Sequence, residues 1–246
     1  MANWSDPRPD VRGFGAVATG ARSEAYDAGL RSYMLSVYNY MASGVLLTGI
    51  VALLFASSGL AYQILAGPGI LKYVIMFAPL AFVMVLSFGI NRLSTVAAQA
   101  LFWAYAAVMG LSLSSIFLVY TGTSIAQTFF ATAAAFAGLS LWGYTTKKDL
   151  SGFGTFLIMG LIGLIVAMLI NLFLKSTVMD LAISAIGVLL FAGLTAYDTQ
   201  KIKSMYAYVA GSDMVGKSVV MGALNLYLDF INMFMFLLRF MGSSRD

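Results

Sequence analysis

Apolar residues in this chain do not alternate with polar ones. They gather into seven long blocks, running roughly from Met34 to Phe55, Tyr73 to Ile90, Val96 to Tyr120, Ile125 to Tyr144, Phe153 to Leu174, Met179 to Tyr197 and Val219 to Phe240. About 20 mainly apolar residues are enough for a helix to cross the hydrocarbon core of a bilayer. The breaks between blocks carry turn chemistry, as in Ala66-Gly67-Pro68-Gly69, Asn91-Arg92, Thr121-Gly122-Thr123 and Lys147-Lys148-Asp149. No block alternates with period two, which excludes a transmembrane β-barrel. The pattern predicts an all-α membrane protein with seven transmembrane helices.

Before the first block the chain is polar. Residues 1–33 contain Pro7, Pro9, four arginines and four acids. A cleavable signal peptide would place a short apolar run close behind a basic start, and none is present. The stretch reads as a disordered cytoplasmic tail leading into an uncleaved first span. Ala2 stands where N-myristoylation needs glycine, and without cysteine there is no site for prenylation or palmitoylation. Residues 34–242 then form one transmembrane domain, and 243–246 a short C-terminal tail.

Composition agrees. The 246 residues are 61% hydrophobic and only 10% charged, whereas a soluble domain carries about 25% charged residues. The net charge of +4 comes from basic residues scattered through short loops, a membrane-topology signature and not a nucleic-acid surface. With the N-terminus inside, inner segments hold Arg8, Arg12, Arg22, Arg31, Arg92, Lys147, Lys148, Lys201, Lys203 and Lys217. Outer segments hold Lys72, Lys175, Arg239 and Arg245. Ten against four predicts a cytoplasmic N-terminus and an external C-terminus.

The chain has neither cysteine nor histidine. That removes thiolate nucleophiles, sulfur metal sites and the usual physiological-pH switch. Proton chemistry must therefore use carboxylates. Eight of the ten acids fall in tails, loops or span edges, or could be solvated there. Asp198 ends the sixth block, and Asp229 lies well inside the seventh. A carboxylate in a span costs several kcal/mol unless it is paired, neutralised or next to water.

Asn225, Asp229 and Asn232 are spaced by four and three, so they share one helix face. The rest of that span is apolar all round, which predicts a helix enclosed by others, its polar stripe facing protein or a watery cavity. Asp198 can be the partner of Asp229 if the sixth helix continues past Lys201 towards Lys203. No breaker in Thr199-Gln200-Lys201-Ile202-Lys203 prevents it. Two such acids cannot both ionise cheaply and would titrate as a unit. The pair could hold a proton or exchange it for a cation. Oxygen donors suit Ca²⁺, with Asn225, Asn232, carbonyls or water completing the shell. Arg92 closes the second span on the inner side, and reads either as an ion-pair partner of Asp198 in a cytoplasmic gate or as a positive-inside anchor.

Gly110 with Ser114, and Gly160 with Gly163, fit close helix packing. No phosphate loop, nucleophile elbow or zinc-protease helix is present, so neither an enzyme nor a cofactor is expected.

Three segments then resemble the Bax inhibitor / YccA family. They are Gly193-Leu194-Thr195-Ala196-Tyr197-Asp198-Thr199-Gln200-Lys201-Ile202, Leu224-Asn225-Leu226-Tyr227-Leu228-Asp229-Phe230-Ile231-Asn232 and Gly143-Tyr144-Thr145-Thr146-Lys147-Lys148-Asp149-Leu150. The resemblance spans about Tyr33 to Gly242 and is closer to the bacterial branch, which implies a bacterial inner membrane. It implies a last helix surrounded by the other six. It also implies that Asp198 and Asp229 are the family's paired aspartates, a pH sensor in a Ca²⁺ leak pathway, with Arg92 engaging them in the closed form. The membrane glutamate that some bacterial members carry in the second span has no counterpart in Pro79-Leu80-Ala81. Other bacterial members modulate the FtsH membrane protease, so a non-conducting regulatory role is the alternative expectation. Whether deprotonation opens or closes the path stays open: repulsion between the acids argues for opening, an Arg92 pair for closing.

Overall fold

The computed structural model describes residues 12–90 and 92–245, with side chains from Glu24 onward. Among the described residues it contains nine helices: α1 (Arg12–Ser57), α2 (Leu60–Leu65), α3 (Leu71–Gly89), α4 (Thr95–Leu113), α5 (Ile116–Val119), α6 (Gly122–Thr145), α7 (Ser151–Leu174), α8 (Thr177–Val209) and α9 (Val215–Met241). Seven spans are long and apolar enough to cross a membrane. They are α1 from Glu24, α3, α4 continued by α5 to Val119, α6, α7, α8 and α9. Large apolar side chains such as Phe156, Met159, Phe173, Leu189 and Phe88 cover the outside, as a lipid-facing surface requires.

Local chemistry starts and stops these helices. The side-chain oxygens of Ser94, Thr121 and Ser176 accept the backbone N–H groups of Ala97, Ser124 and Met179, each satisfying an otherwise orphaned donor at a helix start. Gly59 and Gly211 adopt φ of 76° and 75°, a left-handed conformation in which glycine pays no side-chain penalty. They break α1 from α2 and α8 from α9.

The spans run alternately up and down, and pairings at each end show it. At one end Tyr33 of α1 bonds Ser218 of α9 at 2.7 Å, and Lys203 of α8 donates to the Tyr144 carbonyl of α6 at 2.8 Å. At the other end Arg239 of α9 pairs with Asp180 of α8. There Thr121 N–H also donates to the Ser243 carbonyl, and Arg245 N–H to that of Val119. Residues 243–245, expected as a free tail, are thus stitched to the α5–α6 junction; Asp246 lies outside the described residues.

α9 is the most enclosed span. In its most apolar stretch 72% of positions are buried, against 33% or less in every other span. It packs chiefly on α8, α1, α6 and α4, while α3 lies on α4 and α7 on α8.

Two boundaries differ from expectation. The polar stretch up to Tyr33 is, from Arg12 onward, the first part of α1, continuous with the span. Leu30 and Tyr33 are buried, and the rings of Tyr26 and Tyr33 lie 5.2 and 5.3 Å from that of Tyr206. Aromatic packing against the extension of α8 supports a helix that hydropathy alone would not reveal. Residues 1–11 of the expected tail, with Pro7 and Pro9, lie outside the described residues. The second difference is one of extent: α8 continues past Lys203, as the lack of a breaker allowed, and ends only at Val209.

Candidate functional site

Two of the sequence segments singled out above form one helix–helix joint. Gly143 of α6 lies against the backbone of α8 at Ala196, where any Cβ would collide with the Ala196 carbonyl. Beside it, Thr199 donates to Ser140 at 3.3 Å, and Lys203 reaches the Tyr144 carbonyl with its ammonium 4.7 Å from the Tyr144 ring centre. Gln200 clasps the α6–α7 connection from both sides. Its amide donates to the Lys148 carbonyl and its carbonyl accepts the Leu150 N–H, both at 2.8 Å. These contacts fix the rotation of α8 between Ala196 and Lys203, and Asp198 lies within that stretch.

Asp229 is held as firmly from the other side. The ring of its neighbour Phe230 packs edge-on against Phe136 and Phe129 of α6, with centroids 5.5 and 5.6 Å away. Two residues earlier, Tyr227 meets Thr48 of α1 at 2.6 Å and Phe102 and Tyr105 of α4 edge-on.

Depth matches. Asp198 lies eleven residues before the end of α8 and Asp229 fourteen past the start of α9, about 17 and 21 Å of helical rise from the same end of the bundle. The two carboxyl groups line one cavity, close enough for each to bear on the charge of the other. A bond between two carboxyl groups needs a proton on one of them. Asp198 is half-buried, Asp229 is only 4% exposed, and Asp229 Oδ2 has no hydrogen-bond partner among the described residues.

Both carboxyls face a cavity of about 340 Å³ between α7, α8 and α9. Asn225 and Asn232 line it too, so the polar stripe read from α9 does face this space. Asn232 turns its amide N–H back to the Leu228 carbonyl at 2.8 Å, which leaves its carbonyl oxygen as the part available to a cation. Leu161, Leu164, Ile165 and Met168 of α7 form the apolar wall. Two carboxylates and two amides fall short of the six to eight oxygens that Ca²⁺ takes at rest. Water would have to supply the remainder of any such shell, and among the described residues no third acid joins the pair.

Arg92 is not part of this group. It is exposed in the α3–α4 turn, where its backbone N–H bonds the Gly89 carbonyl, and among the described residues it forms no ion pair. The cation whose charge bears on Asp198 is Lys201, one turn further along α8. Sequence reading had counted Lys201 only as a topology marker, although its i+3 spacing from Asp198 was visible.

An all-α bundle of seven spans, carrying a half-buried and a buried acid on two neighbouring helices, defines a polytopic membrane protein with an ionisable site in its interior. Comparison with known proteins places it further. The family described as "Inhibitor of apoptosis-promoting Bax1" matches residues 30–246, and the chain belongs to this Bax inhibitor-1/YccA family. It is 50% identical over 231 residues to an uncharacterized protein of Rickettsia prowazekii, covering 94% of this chain and 97% of that one. It is 49% identical over 220 residues to the inner membrane protein YbhL of Escherichia coli K12, covering 89% and 94%. An uncharacterized membrane protein of Streptococcus pyogenes is 40% identical over 220 residues, covering 89% and 95%.

Proposed function

We propose that this protein is a pH-sensitive, Ca²⁺-permeable leak channel of the bacterial inner membrane, gated by the Asp198–Asp229 pair. The observation that carries the reading is Asp229: a carboxyl group deep in the bundle, one oxygen unpartnered, lining the same cavity as a second carboxyl. Such an arrangement is costly in a membrane interior, and intramembrane acids of this kind mark ion or proton paths.

Protons and cations compete for the same oxygens. With a proton shared, the two acids hold α8 and α9 together. With the proton lost, they repel unless a cation lies between them. The cavity's carboxylate and amide oxygens suit a hard divalent cation, and an incomplete shell favours passage over retention.

The test is Ca²⁺ entry into liposomes containing the purified protein, followed between about pH 6 and pH 8, since a coupled pair titrates as a unit. Flux should vary with pH in the wild type and lose that dependence in Asp229→Asn. Identical behaviour of the two proteins at every pH would reject the channel.

A further inference from the structure

A second cavity adjoins the aspartate cavity. Met168 of α7 lines both, and the second, of about 490 Å³, opens at the opposite end of the bundle. One face of α7 runs through both: Leu161, Leu164, Ile165 and Met168, then Asn171 and Leu172, with Lys175 just past its end. The second cavity is far more polar than the first. Asp180 of α8 and Arg239 of α9 line its mouth with Asn171.

Asp180 and Arg239 are joined by two contacts. Arg239 Nε donates to Asp180 Oδ2 at 2.8 Å, and its second nitrogen bonds Oδ1. Asn171 Nδ2 approaches the same Oδ1 at 3.5 Å, while its carbonyl accepts the Ser176 N–H at 3.0 Å. The three spans that wall the aspartate cavity are therefore tied to one another at this end. Each charge also suits its helix end, the acid in the first turn of α8 and the arginine in the last turn of α9. The pair is only partly covered, with 30% of the Asp180 side chain and 46% of the Arg239 side chain exposed. Ion pairs so exposed are weak enough to open and reform.

We infer that the Asp180–Arg239 pair is a latch on the second mouth of the pathway that Asp198 and Asp229 occupy, closing it between α7, α8 and α9. While the latch is shut, Arg239 both bridges the helices and presents positive charge, with Lys175, to any cation arriving from that side. When it opens, Arg239 swings away and Asp180 is left as a carboxylate at the entrance, able to take the cation in its place. The latch rests on the conduction reading for its purpose, but not for its detection.

The absence of native cysteine makes detection direct. A single cysteine at Met168→Cys reports access to the wall that the two cavities share when it reacts with a water-soluble, positively charged methanethiosulfonate. Asp180→Asn or Arg239→Gln should speed labelling by about fivefold, as much as an ion pair of this exposure can hold back. The exchange Asp180→Arg with Arg239→Asp restores the pair and should return labelling towards the Met168→Cys rate. Unchanged labelling in both single variants would overturn the latch. So would fast labelling in the exchanged protein as well, since that is general loosening. Ca²⁺ flux is read on the same liposomes. Labelling that responds as expected without flux in any protein keeps the latch and rejects the channel.

Discussion

The hydroxyl of Tyr227 lies 2.6 Å from that of Thr48, and Thr48 in turn donates to the Ala106 carbonyl at 2.8 Å. Since Thr48 spends its proton on Ala106, Tyr227 is the donor to Thr48. One chain of hydrogen bonds thus joins α9 to α1 and α1 to α4, two residues from Asp229. All of it is buried, so each lost partner leaves an unsatisfied group behind. Tyr227→Phe should cost about 1 kcal/mol and Thr48→Val about 2 kcal/mol. The double variant should cost less than the sum, because the pair is broken once. Thermal unfolding of the three purified proteins checks this.

Gly143 should tolerate no side chain. Its neighbour on α8 is the backbone of Ala196, which cannot rotate away. Gly143→Ala should destabilise the protein by about 2–3 kcal/mol, the upper part of the range for overpacking. Gly154→Ala meets the ring of the half-buried Tyr197 instead. That side chain can move, so the cost should be smaller. The order of the two unfolding temperatures decides the matter.

Asp149 lies outside the spans, in the α6–α7 connection. Its Oδ1 accepts the Ser151 N–H at 2.9 Å, and this bond at the start of α7 holds its carboxyl below the usual carboxylate range. A carboxyl with a depressed folded-state pKa contributes stability above its unfolded-state pKa and loses it as pH falls through the folded value. Acid should therefore loosen this end of α7 only below the ordinary aspartate range. Asp149→Ala should remove that response. Hydrogen exchange at Ser151 across an acid titration reads it.

Arg92 provides a contrast. With no ion pair among the described residues and an exposed side chain, Arg92→Gln should change stability by no more than about 0.5 kcal/mol. A loss of about 3 kcal/mol or more, the cost of a broken buried pair, would mean that Arg92 engages a buried acid.

Much of this was legible in the sequence, for identifiable reasons. Lipid demands long apolar runs, so the seven spans and their breaks could be read directly. An acid inside such a run needs compensation, so Asp229 and its stripe of Asn225 and Asn232 identified themselves. The continuation of α8 that brings Asp198 to the same depth followed from the lack of a breaker.

What escaped was whatever depends on packing between polar residues. The first part of α1 has no apolar run, yet Tyr26 and Tyr33 anchor it on Tyr206. Asp180 and Arg239 each looked like an ordinary charge at a span edge, because counting charges by side treats them as independent. Gly143 and Ala196 belonged to segments already noted as distinctive, but nothing in one sequence says that those segments touch. The Arg92 ion pair was allowed by topology, and the structure instead leaves that side chain in the α3–α4 turn.

The central claim is that Asp198 and Asp229 act as one titrating unit. Infrared spectroscopy of the protein in bilayers, titrated with acid and base, reads the protonated-carboxyl band of each directly. If the two are coupled, Asp198→Asn will displace the titration of Asp229, and Asp229→Asn that of Asp198. If each variant instead gives the wild-type spectrum minus one independently titrating carboxyl, the account is contradicted.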